Sequence, residues 1–307
     1  MTILILGASD DAHALHILGR LRERGQAAEL LDSRWFPTEM CLAQDPRANR
    51  WWLQLPEGRV LEPGSVSAVY WRNYHGVDTP DLPDEEQALI AANDARSLFE
   101  SFLAAFPARW VNGWEGYLLH QTKPAALARV AALGVAIPAT VSGNDPDQVR
   151  TFASSETACI FKPVQGGAHA QRLSERHLEA ANLRHLELAP VTVQEEIPGT
   201  NIRAFVAGSR VLACEVRADT LDFRDTPDPE IVPHALPPEM EEQCRRIAQA
   251  LHLVWTGIDF RLTPDGRYVF LEANPSPMFL GFELRSRLPL TEALLELLLN
   301  DANGDRT

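Results

Sequence analysis

Basic runs are missing from this 307-residue chain: no cluster of Lys or Arg exceeds two residues, and the net charge is −14. A surface without such runs cannot neutralise a track of phosphates, which argues against duplex nucleic acid as a partner. The acidity itself names no partner, because solubility accounts for it equally well. Long apolar runs are also missing. Nothing approaches the roughly 20 residues of a membrane span, so no membrane partner is expected. The apolar start of "MTILILGASDDAH" has no basic flank and reads as a first strand rather than a signal peptide. "LTEALLELLLN", near the C-terminus, carries two glutamates and reads as an amphipathic closing helix. Cysteine is scarce: Cys41, Cys159, Cys214 and Cys244 show neither C-x-x-C nor zinc spacing. They are expected to be buried thiols in a reducing cytosol, which makes the expected location cytoplasmic. The loop "GASDDA" offers only Gly7 where a dinucleotide fingerprint needs three glycines, which argues against a Rossmann dehydrogenase. Repeats and low-complexity tracts are absent.

What remains is an ordinary soluble composition, 45% hydrophobic and 23% charged, long enough for two or three packed units. "TILIL", a polar turn and a helical stretch with Leu15, Leu18 and Leu21 open the chain, and "AAELLD" and "VSAVYW" read as further strands. The first ~105 residues therefore form an α/β layer. Residues 84–106 present Leu89, Ala92, Ala95, Phe99, Phe102 and Phe106 as one helical stripe for the core. Pro124 suits a first helical turn and Gly134 a stop, placing Lys123 at a helix start. Asp145 is a cap candidate before Pro146. "ACIFKPVQGGAHA" is a strand entering a glycine-rich turn, and "VTVQEEIPGTNIRAFVAGSRVLACEVR" alternates like an antiparallel ladder. Residues 225–238, rich in proline, read as a surface loop, and "LPPEMEEQCRRIAQALHL" as a helix.

"GIDFRL", the turn "TPDG" and "RYVFLEANPSP" make a hairpin. Strand alternation puts Tyr268, Phe270, Glu272 and Asn274 on one side. If the four turn residues close it symmetrically, Leu262 pairs with Arg267 and Asp259 lies opposite Phe270, diagonal to Glu272 at roughly 7–8 Å. Two carboxylates and an amide oxygen then converge. Bare, unit charges ~4 Å apart repel by about 4 kcal/mol at an effective dielectric of 20; a hard cation such as Mg²⁺ would relieve this. A solvated strand face explains the hairpin equally well on its own. Elsewhere, Lys162 precedes Gly166 and Gly167, a loop whose backbone could approach phosphates. Glu195 and Glu196 end a strand, Arg203 lies on the next, and "LDFRD" adds Arg224.

This series over residues 110–299 resembles the ATP-grasp carboxylate–amine ligases. It is most similar to the graspetide (microviridin-type) peptide cyclases and the ribosomal-protein glutamate ligases, the former through segments such as "LDFR" and "EANPSP". The resemblance implies an α/β (α+β) ATP-grasp fold: a Rossmann-like pre-ATP-grasp domain over 1–110, a small lobe over 111–192, and a large lobe with the Mg²⁺ site over 193–307. It implies that Lys123 and Lys162 reach the phosphates of ATP, with Gly166 and Gly167 closing over them. Glu195, Glu196 and Ile197 would be the hinge at adenine, and Asn201 would stand where an acidic ribose contact is usual. Arg203 and Arg224 would face the γ-phosphate or acyl phosphate, and Asp259, Glu272 and Asn274 would hold one or two Mg²⁺. His169 in the glycine loop is either a substrate contact or a plain loop residue.

A carboxylate is a poor electrophile, and the family moves the γ-phosphoryl of ATP onto it before an amine or hydroxyl attacks; positioning and charge neutralisation are the enzyme's task. By the same resemblance the N-terminal layer borders the acceptor. Arg72, between Trp71 and Tyr74, either pairs with a substrate carboxylate or is packed structurally, and Arg217 has the same two readings. Three functions follow: a ligase cross-linking side chains of a ribosomal precursor peptide, a small-molecule amino-acid ligase, or a non-catalytic ATP-binding protein. A homodimer is expected by analogy.

Overall fold

The N-terminal strands are short and apolar on both faces, as strands buried in a parallel sheet must be. In the computed structural model, which describes residues 1–218, 226 and 228–299, β1 (Thr2–Leu6) is fully buried and is followed by α1 (Ala12–Glu23), capped by Asp11. β2 (Ala28–Leu31) then leads to an antiparallel excursion of β3 (Cys41–Asp45), β4 (Arg50–Gln54) and β5 (Val60–Leu61). β6 (Val66–Trp71), α2 (Glu85–Ala105) and β7 (Arg109–Val111) complete a parallel sheet ordered β2-β1-β6-β7. α3 (Trp114–Gln121) and α4 (Lys123–Ala131) follow, with Lys123 the first helical residue of α4.

A second, antiparallel sheet contains β8 (Thr140–Gly143), β9 (Cys159–Pro163), β10 (Gln171–Arg172) and β11 (Val191–Glu195), in the order β10-β9-β11-β8. α5 (Pro146–Ser155), capped by Asp145 as expected, and α6 (Ala180–Leu183) accompany it. The third sheet is ordered β14-β13-β12-β15-β16. Its strands are β12 (Thr200–Ala207), β13 (Arg210–Arg217), β14 (Glu230–His234), β15 (Trp255–Leu262) and β16 (Tyr268–Asn274), with α7 (Pro238–Ala250) covering one face. α8 (Leu280–Ser286) and α9 (Leu290–Leu299) close the chain, and α9 buries Leu290, Leu294, Leu295 and Leu298 against the first and third sheets. Among the described residues no helix is long and apolar enough to cross a membrane.

Several sequence expectations change. Leu89, assigned to the core stripe of α2, is 63% exposed, and the buried stripe begins only at Ala95, so the first turns of α2 bury no side chain fully. Leu15 is likewise exposed, while Ala14, Ile17, Leu18 and Leu21 make the buried face of α1. The described part of the proline-rich stretch contains β14 rather than loop alone. Cys41 is exposed; Cys159, Cys214 and Cys244 are buried, and all four are free thiols.

Candidate active site

The hairpin of β15 and β16 carries the main correction. Thr263 and Arg267 pair across a three-residue tip in which Gly266 adopts φ +85°, so Leu262 meets Tyr268 and not Arg267. The register then slips by one between Phe260↔Phe270 and Asp259↔Glu272, leaving Leu271 as the extra residue of a β-bulge. Asp259 thus lies directly opposite Glu272. Tyr268 and Phe270 pack towards α7 with Phe260, and only Glu272 and Asn274 turn to the opposite side. The expected face-sharing of all four was wrong because uninterrupted alternation cannot both bury Phe270 and expose Glu272.

On that side a cavity of about 510 Å³ opens between the second and third sheets. Both lysines line it, and they are the only lysines in the chain. Lys123 Nζ is 3.1 Å from Glu272 Oε2 and Lys162 Nζ donates to Gln194 Oε1 at 3.1 Å. Gly166 and Gly167, at φ +122° and +99°, turn the loop between β9 and β10 over them. A Cβ at Gly166 would stand 3.6 Å from Lys123 Nζ, which is how closely this backbone approaches the cation.

Glu195, Glu196 and Ile197 line the cavity where the chain passes from the second sheet to the third. Glu195 Oε2 accepts from Ala139 N at 3.2 Å, and Glu196 takes a two-pronged contact from Arg172 on β10 at 2.8–3.1 Å. Asn201 Oδ1 accepts from Arg261 Nη1 at 2.9 Å, and Arg261 Nε donates to Ile197 O at 3.1 Å. His169 also lines the cavity.

Arg203 is buried and donates through Nη1 to both oxygens of Asp259, at 3.2 and 3.3 Å. Its guanidinium lies 5.1 Å from the Phe282 ring centre, and its buried Nε has no hydrogen-bond partner among the described residues. Room for it comes from Gly257, directly across from Asn274 in the sheet. Burial alone would raise the Glu272 carboxyl, but Lys123, with help from Lys162 and Arg203, holds it below the usual glutamate value.

The other candidates fall elsewhere. Arg72 lines a neighbouring cavity of about 160 Å³, shared with Tyr74, Asn112, His120 and Asn274. Its Nε donates to Asp11 Oδ1 at 3.1 Å and its Nη1 to Ser276 O at 2.7 Å, so its fork is engaged with protein. Arg217 is half-exposed at the end of β13, paired with Glu215 and Glu230, and touches neither cavity. Arg224 lies outside the described residues. Arg261, Gly257 and Asn112 were not singled out from the sequence, and Gln194 only as the first residue of the hinge motif. Arg261 had a signal, since alternation from Asp259 puts it on the same face; the scarcity of lysine was another, pointing straight at Lys123 and Lys162. Asn112 had none.

No protein-family model and no curated protein matches the chain. Solved structures do. The ATP-grasp ligase PsnB, complexed with a minimal precursor, is 30% identical, with 96% of this chain and 97% of that chain covered and a TM-score of 0.84. It has also been solved with minimal precursor, Mg and ADP. The macrocyclase MdnC from Microcystis aeruginosa MRC, bound with precursor peptide MdnA, is 25% identical over 98% of this chain and 100% of that chain, TM-score 0.85. A RiPP-associated ATP-grasp ligase of Chryseobacterium gregarium, in complex with ADP and a leader and core peptide, shares the fold at 20% identity and TM-score 0.85 over 97% of this chain and 96% of that chain. The chain belongs to the ATP-grasp ligases.

Proposed function

We propose that this protein uses ATP to activate a side-chain carboxylate of a precursor peptide and joins it to a hydroxyl or amine of that peptide. The observation that supports this most directly is the single cavity in which both lysines, the paired glycines, the hinge, Arg203 and three oxygen donors meet. PsnB, solved with Mg, ADP and precursor, and MdnC, solved with its peptide, support the same assignment of nucleotide, metal and substrate class.

The donor set fits Mg²⁺. Asp259 and Glu272 are opposed across a β-ladder with Asn274 beside them, and the two carboxylates are paired with Arg203 and Lys123. Two carboxylates and an amide oxygen are hard ligands of the kind Mg²⁺ takes when phosphates and water complete its shell. When bound, the metal supplies charge neutralisation to the polyphosphate.

In the reading we favour, Lys162, steadied by Gln194, and Lys123 hold phosphate oxygens beneath Gly166 and Gly167. The backbone of Glu195 to Ile197 meets the base, with Asn201 and Arg261 at the sugar. Arg203 faces the phosphoryl in transfer, where its charge offsets that of the approaching carboxylate. The carboxylate oxygen bonds to the γ-phosphorus as the bond to the β-phosphate breaks, giving acyl phosphate and ADP. The nucleophile then bonds to the acyl carbon, phosphate departs, and the nucleophile's proton passes to solvent. The 160 Å³ cavity beyond Asn274, roofed by Tyr74 and Tyr117, is where we place the incoming side chain, with Arg72 as its wall. We divide the chain into three lobes near residue 110 and, rather than at 192, after β11 (Val191–Glu195), because that whole strand belongs to the second sheet. We also read it as a homodimer, Leu89 and Ile90 on α2 being 63% and 53% exposed.

Incubation with ATP, Mg²⁺ and a candidate precursor should release ADP and phosphate and remove one water mass from the peptide per bond. Glu272→Ala and Asn274→Ala should each abolish this while the protein stays folded. Full turnover in both variants refutes the metal assignment; turnover with free amino acids but no peptide refutes the substrate class.

A further inference from the structure

Asn112 follows β7 directly, is 3% exposed, and spends its whole hydrogen-bonding capacity on two other segments. Its Nδ2 donates to Trp255 O at 2.7 Å and Pro275 O at 2.8 Å, and its Oδ1 accepts from Val254 N at 2.7 Å and Trp255 N at 3.0 Å. An amide has two donors and two acceptor lone pairs, so this one is saturated. It ties the first sheet to the start of β15 and to the segment leaving β16, the two strands that carry Asp259, Glu272 and Asn274.

A second set of bonds reaches the same segment from β6. Arg72 Nη1 donates to Ser276 O at 2.7 Å, Ser276 Oγ donates to Trp71 O at 3.2 Å, and Ser276 N donates to Asn274 Oδ1 at 2.9 Å. The bond that aims the Asn274 oxygen therefore comes from a backbone group pinned on either side by the first sheet. Pro275 and Pro277, with fixed φ, leave little slack between the pins.

We propose that Asn112 is a positioning residue for the divalent-metal site: through the Pro275 carbonyl it fixes the direction of the Asn274 side chain, so that the N-terminal sheet sets metal affinity without touching the metal. This rests on the assignment of Asp259, Glu272 and Asn274 as metal ligands. Groups that orient ligands from behind are worth about 10–100-fold in metal affinity when removed. The nucleotide hinge and both lysines belong to other segments, so nucleotide binding without metal should not follow.

The test titrates Mn²⁺ into the full chain by electron paramagnetic resonance and, separately, measures ADP binding in EDTA. Asn112→Ala is expected to weaken Mn²⁺ about tenfold and to leave ADP binding in EDTA unchanged. Asn112→Asp keeps the volume and the acceptor oxygen but gives up the donor pair. It should weaken Mn²⁺ in the same way, and it decides the matter if the alanine variant does not fold. Unchanged Mn²⁺ affinity in a folded variant overturns the proposal, as does an equal loss of metal-free ADP binding. Glu272→Gln separates the two ideas: if it too leaves Mn²⁺ affinity unchanged, the metal assignment itself is wrong.

Discussion

Adding one methyl group at Gly257 should disable this enzyme more than its size implies. A Cβ there would lie 2.9 Å from Pro277 Cβ and 3.0 Å from both Nε and Nη2 of Arg203, where unstrained contacts need about 3.5–4 Å. Neither neighbour can give way easily. Arg203 is held by Asp259 on one side and lies over Phe282 and Phe205 at 5.1 and 5.7 Å on the other. Pro277 follows the segment that Asn112 and Arg72 hold by its carbonyls. Overpacking of this kind costs about 1–3 kcal/mol. If even the lower part of that falls on the Arg203–Asp259 geometry, phosphoryl transfer slows about tenfold. Gly281→Ala is the control: a Cβ there meets nothing within 4 Å among the described residues, and inside α8 it should be neutral or slightly stabilising. The assay is peptide-dependent ADP release beside a thermal melt. Wild-type turnover and melting in Gly257→Ala would refute the claim that Arg203 is wedged between Gly257 and the aromatic rings.

Gly199, at φ +134°, has no room at all: its added Cβ would fall 2.1 Å from Leu262 O. Gly199→Ala should therefore fail to accumulate as folded protein by circular dichroism, whereas Gly167→Ala, strained in φ but open in space, should fold and lose ATP binding. Because Lys123 and Lys162 are the only lysines, a lysine-selective acylating reagent read by mass spectrometry should mark them in the free protein and spare them when ADP and Mg²⁺ are present; equal labelling in both states would remove them from the nucleotide site. Burial lowers the His13 imidazole to about 4, and Asp32 sits at about 2 because Arg34 and the Ser9 amide outweigh its burial. Both folded values lie below the unfolded ones, so stability falls with pH, from about 6.5 to 4 for His13 and below about 4 for Asp32; denaturant melts of His13→Phe should lose the first of these two slopes.

The parts of the fold and of the candidate site that sequence made legible are those set by chain-local chemistry. Asp145 caps its helix because its side chain meets the next turn, and Lys162, Gly166 and Gly167 stand together because one hairpin contains them. The same holds for Glu195 to Ile197 at a strand exit. Arg72 and Asn112 were opaque for the opposite reason, since their partners lie 204 and 163 residues away, and an isolated polar residue at a strand end looks alike whether it faces water or clamps a loop. Leu89 misled because periodicity shows which face of a helix is apolar but not how much of the helix's length is covered by the rest of the fold.

The hairpin of β15 and β16 shows how Asp259, Glu272 and Asn274 can be expected together by a wrong route. Alternation alone put Glu272 with Phe270, and a symmetric turn put Asp259 opposite Phe270; each was off, and the errors cancelled. What reconciles the strand with its two tasks is the extra residue. Phe270 must bury itself against α7, and Ala273 packs into the same core. An odd number of steps between two core-facing residues is incompatible with strict alternation, so the strand has to absorb one residue somewhere between them. It does so at Leu271, and as a result Leu271 and Glu272 both line the cavity, with Glu272 brought directly opposite Asp259. Deleting Leu271 would restore the alternation. The physics then forces a choice between a carboxylate in the core and a phenylalanine in the cavity, and either way the pair of acids that faces Lys123 and Arg203 is lost.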